Sequence, residues 1–268
     1  MQFGKQLRLV AASASLLVCA ASCFAQVNPG WGAYGGNPRH TALSTTQGQR
    51  PKAVRWSTPV DLAPPYSGNE LFIHYGTPLC TKKGNIVVPV RTNANSNFRV
   101  EVRKSANGAL IWQADTQYSL PSAGWIPSFG CAILSDGRLA YPNAGGTVTI
   151  RTSPDSATGA STTVAFYGTS LYNADKATYD ANVKISTPLV TDTKGNIYFG
   201  FQATGATTAN LVSGIARISS TGVGTWKSAA DASGWSNMAK VVFNCAPALS
   251  NDGKQLYFAV NHVNYATF

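Results

Sequence analysis

The chain has 268 residues, 44% of them apolar and only 12% charged, against about 25% charged in an ordinary domain. That apolar content excludes a disordered chain, and 25 glycines, 14 prolines and only two glutamates, Glu70 and Glu101, exclude a helical bundle in favour of an all-β protein of short strands. The net charge of +10 comes from scattered lysines and arginines whose longest run is Lys82-Lys83, so no basic stripe or helix addresses nucleic acid.

The first element is an address. Lys5 and Arg8 precede an uncharged apolar or small run from Leu9 to Ala25, which ends in Cys23-Phe24-Ala25 with small residues at both −3 and −1. This predicts a signal peptide over residues 1–25 and a secreted or periplasmic mature chain. Ala20-Ala21-Ser22-Cys23 is a weak lipoprotein-type box without the large aliphatic residue expected three before the cysteine, so anchoring at Cys23 is the minor alternative. No later apolar stretch approaches the roughly 20 residues a spanning helix needs, so no transmembrane segment is expected in the mature chain. Residues 26–52 form a lead-in segment, and 53–268 carry a repeat.

Residues 53–59, AVRWSTP, read as a lone outer strand carrying Trp56. Four hairpins then follow one pattern: an apolar run, a polar turn with glycine, and a second run rich in Val, Ile, Tyr or Phe. They are TPLCTKKGNIVVPV (77–90), CAILSDGRLAYPNA (131–144), TPLVTDTKGNIYFGF (187–201) and APALSNDGKQLYFAV (246–260). The turn glycines Gly84, Gly137, Gly195 and Gly253 are spaced by 53, 58 and 58 residues. A second marker keeps this period: Trp56, Trp112, Phe166 and Trp226 are spaced by 56, 54 and 60. Between hairpin and aromatic lies one further strand candidate, in FRVEVRK (98–104), GTVTIR (146–151) and SGIARIS (213–219).

One unit is therefore four strands in about 55 residues, the period and strand count of a β-propeller blade. Stacking buries the faces that a single blade would leave wet, and an aromatic on each outer strand seals one blade against the next. Three blades span roughly 72–116, 127–167 and 184–228, and a fourth begins at 242 with two strands, giving about 3.5 blades and an incomplete ring. The alternative is a small closed ring, in which the Trp56 strand pairs with the partial fourth blade.

KSANGALIW (104–112), ISSTGVGTW (218–226) and the opening WGAYGGNPRHTALS (31–44) resemble the PQQ-like, quinoprotein-type β-propeller repeat family over nearly all of 31–268. The second blade departs from the pattern, with Phe166 in the tryptophan slot and a longer turn. The resemblance implies a propeller that hosts either enzymes or binding scaffolds. Its dehydrogenases hold pyrroloquinoline quinone and calcium near the axis with acidic and amide side chains, an aspartate base and often a disulfide between adjacent cysteines. The mature chain has Cys80, Cys131 and Cys245, none adjacent, each in an apolar segment that predicts a buried thiol. Its acids sit mostly in turns such as Asp136-Gly137 and Asp252-Gly253, where they serve backbone geometry. No catalytic residue or metal ligand is carried over.

Neither a Gly-x-Ser-x-Gly elbow nor a phosphate loop occurs. Candidate ligand contacts are His74, just before the first inner strand, and Trp125 and Trp235, in Gly/Ser-rich connections outside the repeat marker. The leading function is a binding or interaction scaffold without catalysis, its partner a protein or carbohydrate of the cell envelope, with no cofactor expected. The alternative is the N-terminal part of a quinoprotein oxidoreductase dependent on PQQ and calcium.

Overall fold

The computed structural model describes residues 30–44, 48, 50–64, 66–71, 76–93, 97–121 and 129–263. The leader expected at 1–25 lies outside them. The architecture is mostly β and consists of several small antiparallel sheets. A short hairpin, β1 (Tyr66–Ser67) and β2 (Glu70–Leu71), comes first.

The first four-stranded sheet is a meander of β3 (Leu79–Cys80), β4 (Ile86–Arg91), β5 (Phe98–Arg103) and β6 (Leu110–Asp115). The second repeats it with β7 (Ala132–Ile133), β8 (Leu139–Pro142), β9 (Thr147–Arg151) and β10 (Ser161–Ala165). Two short helices, α1 (Thr169–Ala174) and α2 (Lys176–Asn182), precede the third sheet. That sheet contains β11 (Val183–Ile185), β12 (Val190–Thr191), β13 (Ile197–Ala203), β14 (Gly214–Ile218) and β15 (Gly224–Ser228). A one-turn helix, α3 (Ala229–Ser233), leads to β16 (Met238–Val241), β17 (Ala248–Leu249), β18 (Leu256–Tyr257) and β19 (Val260–His262).

Sequence explains where each strand lies. β4, β9 and β13 are continuous runs of Val, Ile, Phe and Thr, as expected of strands covered on both faces, and they are almost wholly buried. β6 and β15 alternate between covered and open positions, as expected of a strand at the rim. Each unit's first hairpin closes through the same turn, in which the glycine amide donates to the residue three before it: Gly84 to Thr81 at 2.9 Å, Gly137 to Leu134 at 2.8 Å, Gly195 to Asp192 at 3.1 Å and Gly253 to Ser250 at 3.0 Å. The glycines have φ of +80°, +90°, +80° and +67°, a region costly for other residues.

In three units the first-strand position is filled by two separate pieces. β11 pairs one half of β13 and β12 the other. β16 and β17 share β19 and β18 in the same way. In the first unit β3 pairs the start of β4, and residues 60–62 bind its end, with Arg91 N donating to Val60 O and Leu62 N to Arg91 O. Pro89 stands in the gap between those two pieces. Its nitrogen points to the same edge as that of Arg91, away from β5, so this interior proline removes no bond of the β4–β5 ladder.

Sheet-to-sheet contacts recur at the aromatic marker. Trp56 Nε1 donates to Ser105 O at 2.9 Å, and Trp112 Nε1 donates to Pro154 O at 2.5 Å. Both acceptors lie between the third and fourth strands of the next unit. Phe166 has no donor, and it packs instead on Phe201 and Phe199 of the third unit at ring distances of 4.4 and 5.7 Å. Trp226 meets Phe201 edge-on at 5.8 Å.

Residues 53–59 form no strand, contrary to the sequence expectation. Among the described residues no strand is offered to them, and the Trp56 indole anchors the segment instead. The fourth unit starts at Met238 rather than 242, and the short helices α1–α3 fill the stretches between the expected blades.

The segment 31–42 is bonded to three of the units. Trp31 O accepts from Cys80 N at 2.8 Å, Gly32 O from Ile133 N at 2.7 Å, and Pro38 O from Leu249 N at 2.9 Å. Cys80, Ile133 and Leu249 are the same repeat position, four residues before the turn glycine. The first strands of three units thus converge on one piece of chain. Thr191, their counterpart in the third unit, instead donates Oγ1 to Ile133 O at 3.2 Å.

His40 ends this segment's inner turn, at φ +54° and edge-on to Tyr34 at 5.1 Å. Its Nε2 is buried without a partner, and burial lowers its pKa below the ordinary value. The folded state therefore binds fewer protons than the unfolded one. The penalty is absent above about pH 6.5 and grows as pH falls through the window below it. Between pH 7.5 and pH 5.5, the melting temperature should fall more for the native chain than for His40→Asn, whose side chain tolerates positive φ. Equal falls would contradict this.

Candidate binding site

Chain direction gives the sheets two unlike ends. Tight turns (81–85, 134–138, 192–196 and 250–255) lie at one end, together with the connections 104–109 and 152–160 that receive the tryptophans. The longer connections, including those holding α1–α2 and α3, lie at the other. Long connections on a rigid sheet are where binding side chains collect.

At this loop end of the first unit is an open cavity of about 580 Å³, lined by Thr92, Asn97, Arg99, Asp115, Thr116 and Gln117. Register places Arg99 of β5 directly opposite Asp115 of β6, and Arg99 Nε donates to Asp115 Oδ1 at 2.7 Å. This bond is the main cause of a raised Arg99 pKa, so the guanidinium stays charged. Behind it, buried Glu101 takes Arg103 at 2.7 Å and lies 3.9 Å from Arg99 NH1. The Arg99 side chain is 25% exposed and that of Asp115 65%, so the carboxylate faces solvent while its partner is held.

The backbone around the cavity is fixed. Thr116 N and Oγ1 both bond Phe98 O, at 2.7 and 2.8 Å. Thr92 Oγ1 donates to Asn97 O at 2.7 Å, and Asn97 N donates to Tyr118 O at 2.8 Å. Both threonine hydroxyl protons are thereby spent, which leaves lone pairs. Asn97 takes φ +64°, which asparagine tolerates. Gln117 N donates to Asn143 Oδ1 at 3.1 Å in the second unit, and Lys176 Nζ of α2 reaches Gln117 Oε1 at 3.4 Å. Lys176 is itself paired with Asp180. The site joins the first unit's strand ends to the second unit and to a helix, all rich in hydrogen-bonding groups and balanced in charge.

Of the ligand contacts expected from sequence, His74 and Trp125 lie outside the described residues. Trp235 follows α3 at the loop end and is 68% exposed, with no recorded contact to the cavity lining. The structural markers Gly84, Gly137, Gly195 and Gly253 are in the tight turns. Trp56, Trp112, Phe166 and Trp226 are at unit boundaries or on the rim. Sequence reasoning missed the whole cavity lining. Arg99 and Asp115 were legible only as a strand's alternate polar face, and their pairing needs the β5–β6 register.

Cys80, Cys131 and Cys245 are free thiols. Cys131 is buried, and burial pushes its pKa far up, so it is inert. Among the described residues there is no cluster of His, Cys, Asp and Glu suited to a metal ion, and no helix long and apolar enough to cross a membrane. No protein-family model and no curated protein matches the chain.

Proposed function

We propose that the chain is a secreted or periplasmic binding scaffold of β-propeller type, with the four-stranded units as blades and no catalysis of its own. The observation that carries this reading is the lead-in segment, whose carbonyls accept from one repeat position in three units. A piece of chain that bonds equivalent strands of several units has to lie between them, where a propeller has its central channel. Chain in that place takes up the room an axial quinone would need. Binding then falls to the loop end, where the connections are long and the polar cavity opens. The partner is a protein or carbohydrate of the cell envelope.

The full chain with calcium, pyrroloquinoline quinone and an electron-accepting dye tests this. The scaffold reduces no dye across alcohols and sugars, and the quinone leaves its melting temperature unchanged. Quinone-dependent dye reduction, or a quinone-induced thermal shift, would overturn the reading in favour of an oxidoreductase.

A further inference from the structure

Building on the scaffold reading, we propose that the loop-end cavity of the first unit is a binding site for a neutral carbohydrate, with Asp115, Arg99 and Gln117 as its contacts. Charge selects the ligand class first. Among the described residues the lining holds one cation and one anion, Arg99 and Asp115, joined at 2.7 Å, so it offers no net charge to a phosphate, a uronate or a metal ion. Lys176, which reaches Gln117, is already paired with Asp180. Shape and polarity select next. A cavity of about 580 Å³ is of monosaccharide to disaccharide scale, and every lining side chain carries nitrogen or oxygen. The apolar stems of the same side chains can meet the C–H faces of a sugar.

What remains is a neutral molecule with many hydroxyls. Each hydroxyl both donates and accepts, and the lining supplies the complement. Arg99 takes Oδ1 of Asp115, which leaves Oδ2 to accept. Arg99 uses Nε for Asp115, and its NH1 lies 3.9 Å from Glu101. Asn97 supplies an amide, Gln117 its Nε2 beside an Oε1 that accepts from Lys176, and the Thr92 hydroxyl a lone pair. Carboxylate and guanidinium fixed side by side set an acceptor and a donor next to each other, as neighbouring sugar hydroxyls require. Because strand register and the Glu101–Arg103 pair behind them hold both groups, little ordering remains to be done on binding.

The test is a titration of the full chain with neutral oligosaccharides of glucose, mannose, galactose and N-acetylglucosamine, each set beside a uronate-containing counterpart, followed by ligand-observed NMR. At least one neutral sugar should bind. Asp115→Ala should weaken it by about tenfold or more, the loss expected for a hydrogen bond to a charged group. Asp115→Asn should recover part of the loss, Gln117→Ala should cost about fivefold, and Trp235→Ala should stay within about twofold. Gln117 lies at the surface, so its variant carries the test if Asp115→Ala fails to fold. Failure to bind any neutral sugar at about 10 mM, a ceiling already weaker than ordinary recognition, would overturn the site. So would binding unchanged in both variants, or binding of uronate sugars alone. These failures leave the scaffold reading standing with a protein partner, whereas dye reduction in the quinone assay removes that reading itself.

Discussion

Trp112→Ala is expected to lower the unfolding free energy by about 3–5 kcal/mol, at the upper end for a single truncation. Three interactions disappear together. The indole is 7% exposed, so its removal leaves a cavity between the first and second units. Its N–H is the donor to Pro154 O. Its ring carries the Arg151 guanidinium, with Cζ 4.1 Å from the ring centre. Arg151 is buried and, among the described residues, has no acidic partner. It donates to Gly159 O at 2.6 Å, Ser156 O at 2.8 Å and Ala157 O at 3.1 Å, and so holds the loop that accepts the indole. Burial lowers its pKa, and the cation depends on those carbonyls and on the ring. Urea unfolding of Trp112→Ala, Arg151→Ala and the double variant checks this. A coupling of about 1–3 kcal/mol is expected between the two residues. A loss below about 1 kcal/mol for Trp112→Ala would mean that the marker does not seal the units.

Gly224→Ala is expected to cost about 3 kcal/mol or more, through the backbone rather than a side chain. A Cβ at this position would lie 1.9 Å from Phe166 O and 2.3 Å from Phe166 C, so the third unit would have to move away from the second. The carbonyl cannot turn aside without shifting Phe166, which sits among Phe199, Phe201 and Tyr167. Gly84→Ala is the control. Its φ of +80° is unfavourable, but a Cβ there meets nothing within 4 Å, so only the local backbone cost of about 1–2 kcal/mol applies. Thermal unfolding of the two variants should rank Gly224→Ala well below Gly84→Ala. The reverse order would show that close approach of the units is not what Gly224 serves.

The hairpins were legible in the sequence because their causes are local. A turn that needs positive φ asks for glycine, and a strand covered on both faces asks for an unbroken run such as IVVPV or IYFGF. The aromatic period was legible for the same reason. The bonds between units were not. Trp31, Gly32 and Pro38 act through backbone carbonyls, which leave no side-chain pattern. Asp155 reads as one more turn acid, yet it accepts from Thr81 Oγ1 at 2.5 Å and Asn85 Nδ2 at 2.7 Å in the preceding unit. Arg151 counted among scattered surface charges, although it is buried against Trp112. The cavity escaped notice because Arg99 and Asp115 are 16 residues apart and meet only through the β5–β6 register.

Three units converge on the lead-in segment, and amide hydrogen exchange reads that convergence residue by residue. In the native chain the amides of Cys80, Ile133 and Leu249 should be protected to a similar degree. Gly36→Val should disturb the segment, since Gly36 has φ +87° and its added Cβ would lie 3.2 Å from the Trp31 ring. Protection at all three amides should then fall together, by about tenfold or more, while the mid-sheet amides of Val100 and Val148 keep theirs. Protection that falls at only one of the three, or at none, would contradict a segment shared by the units.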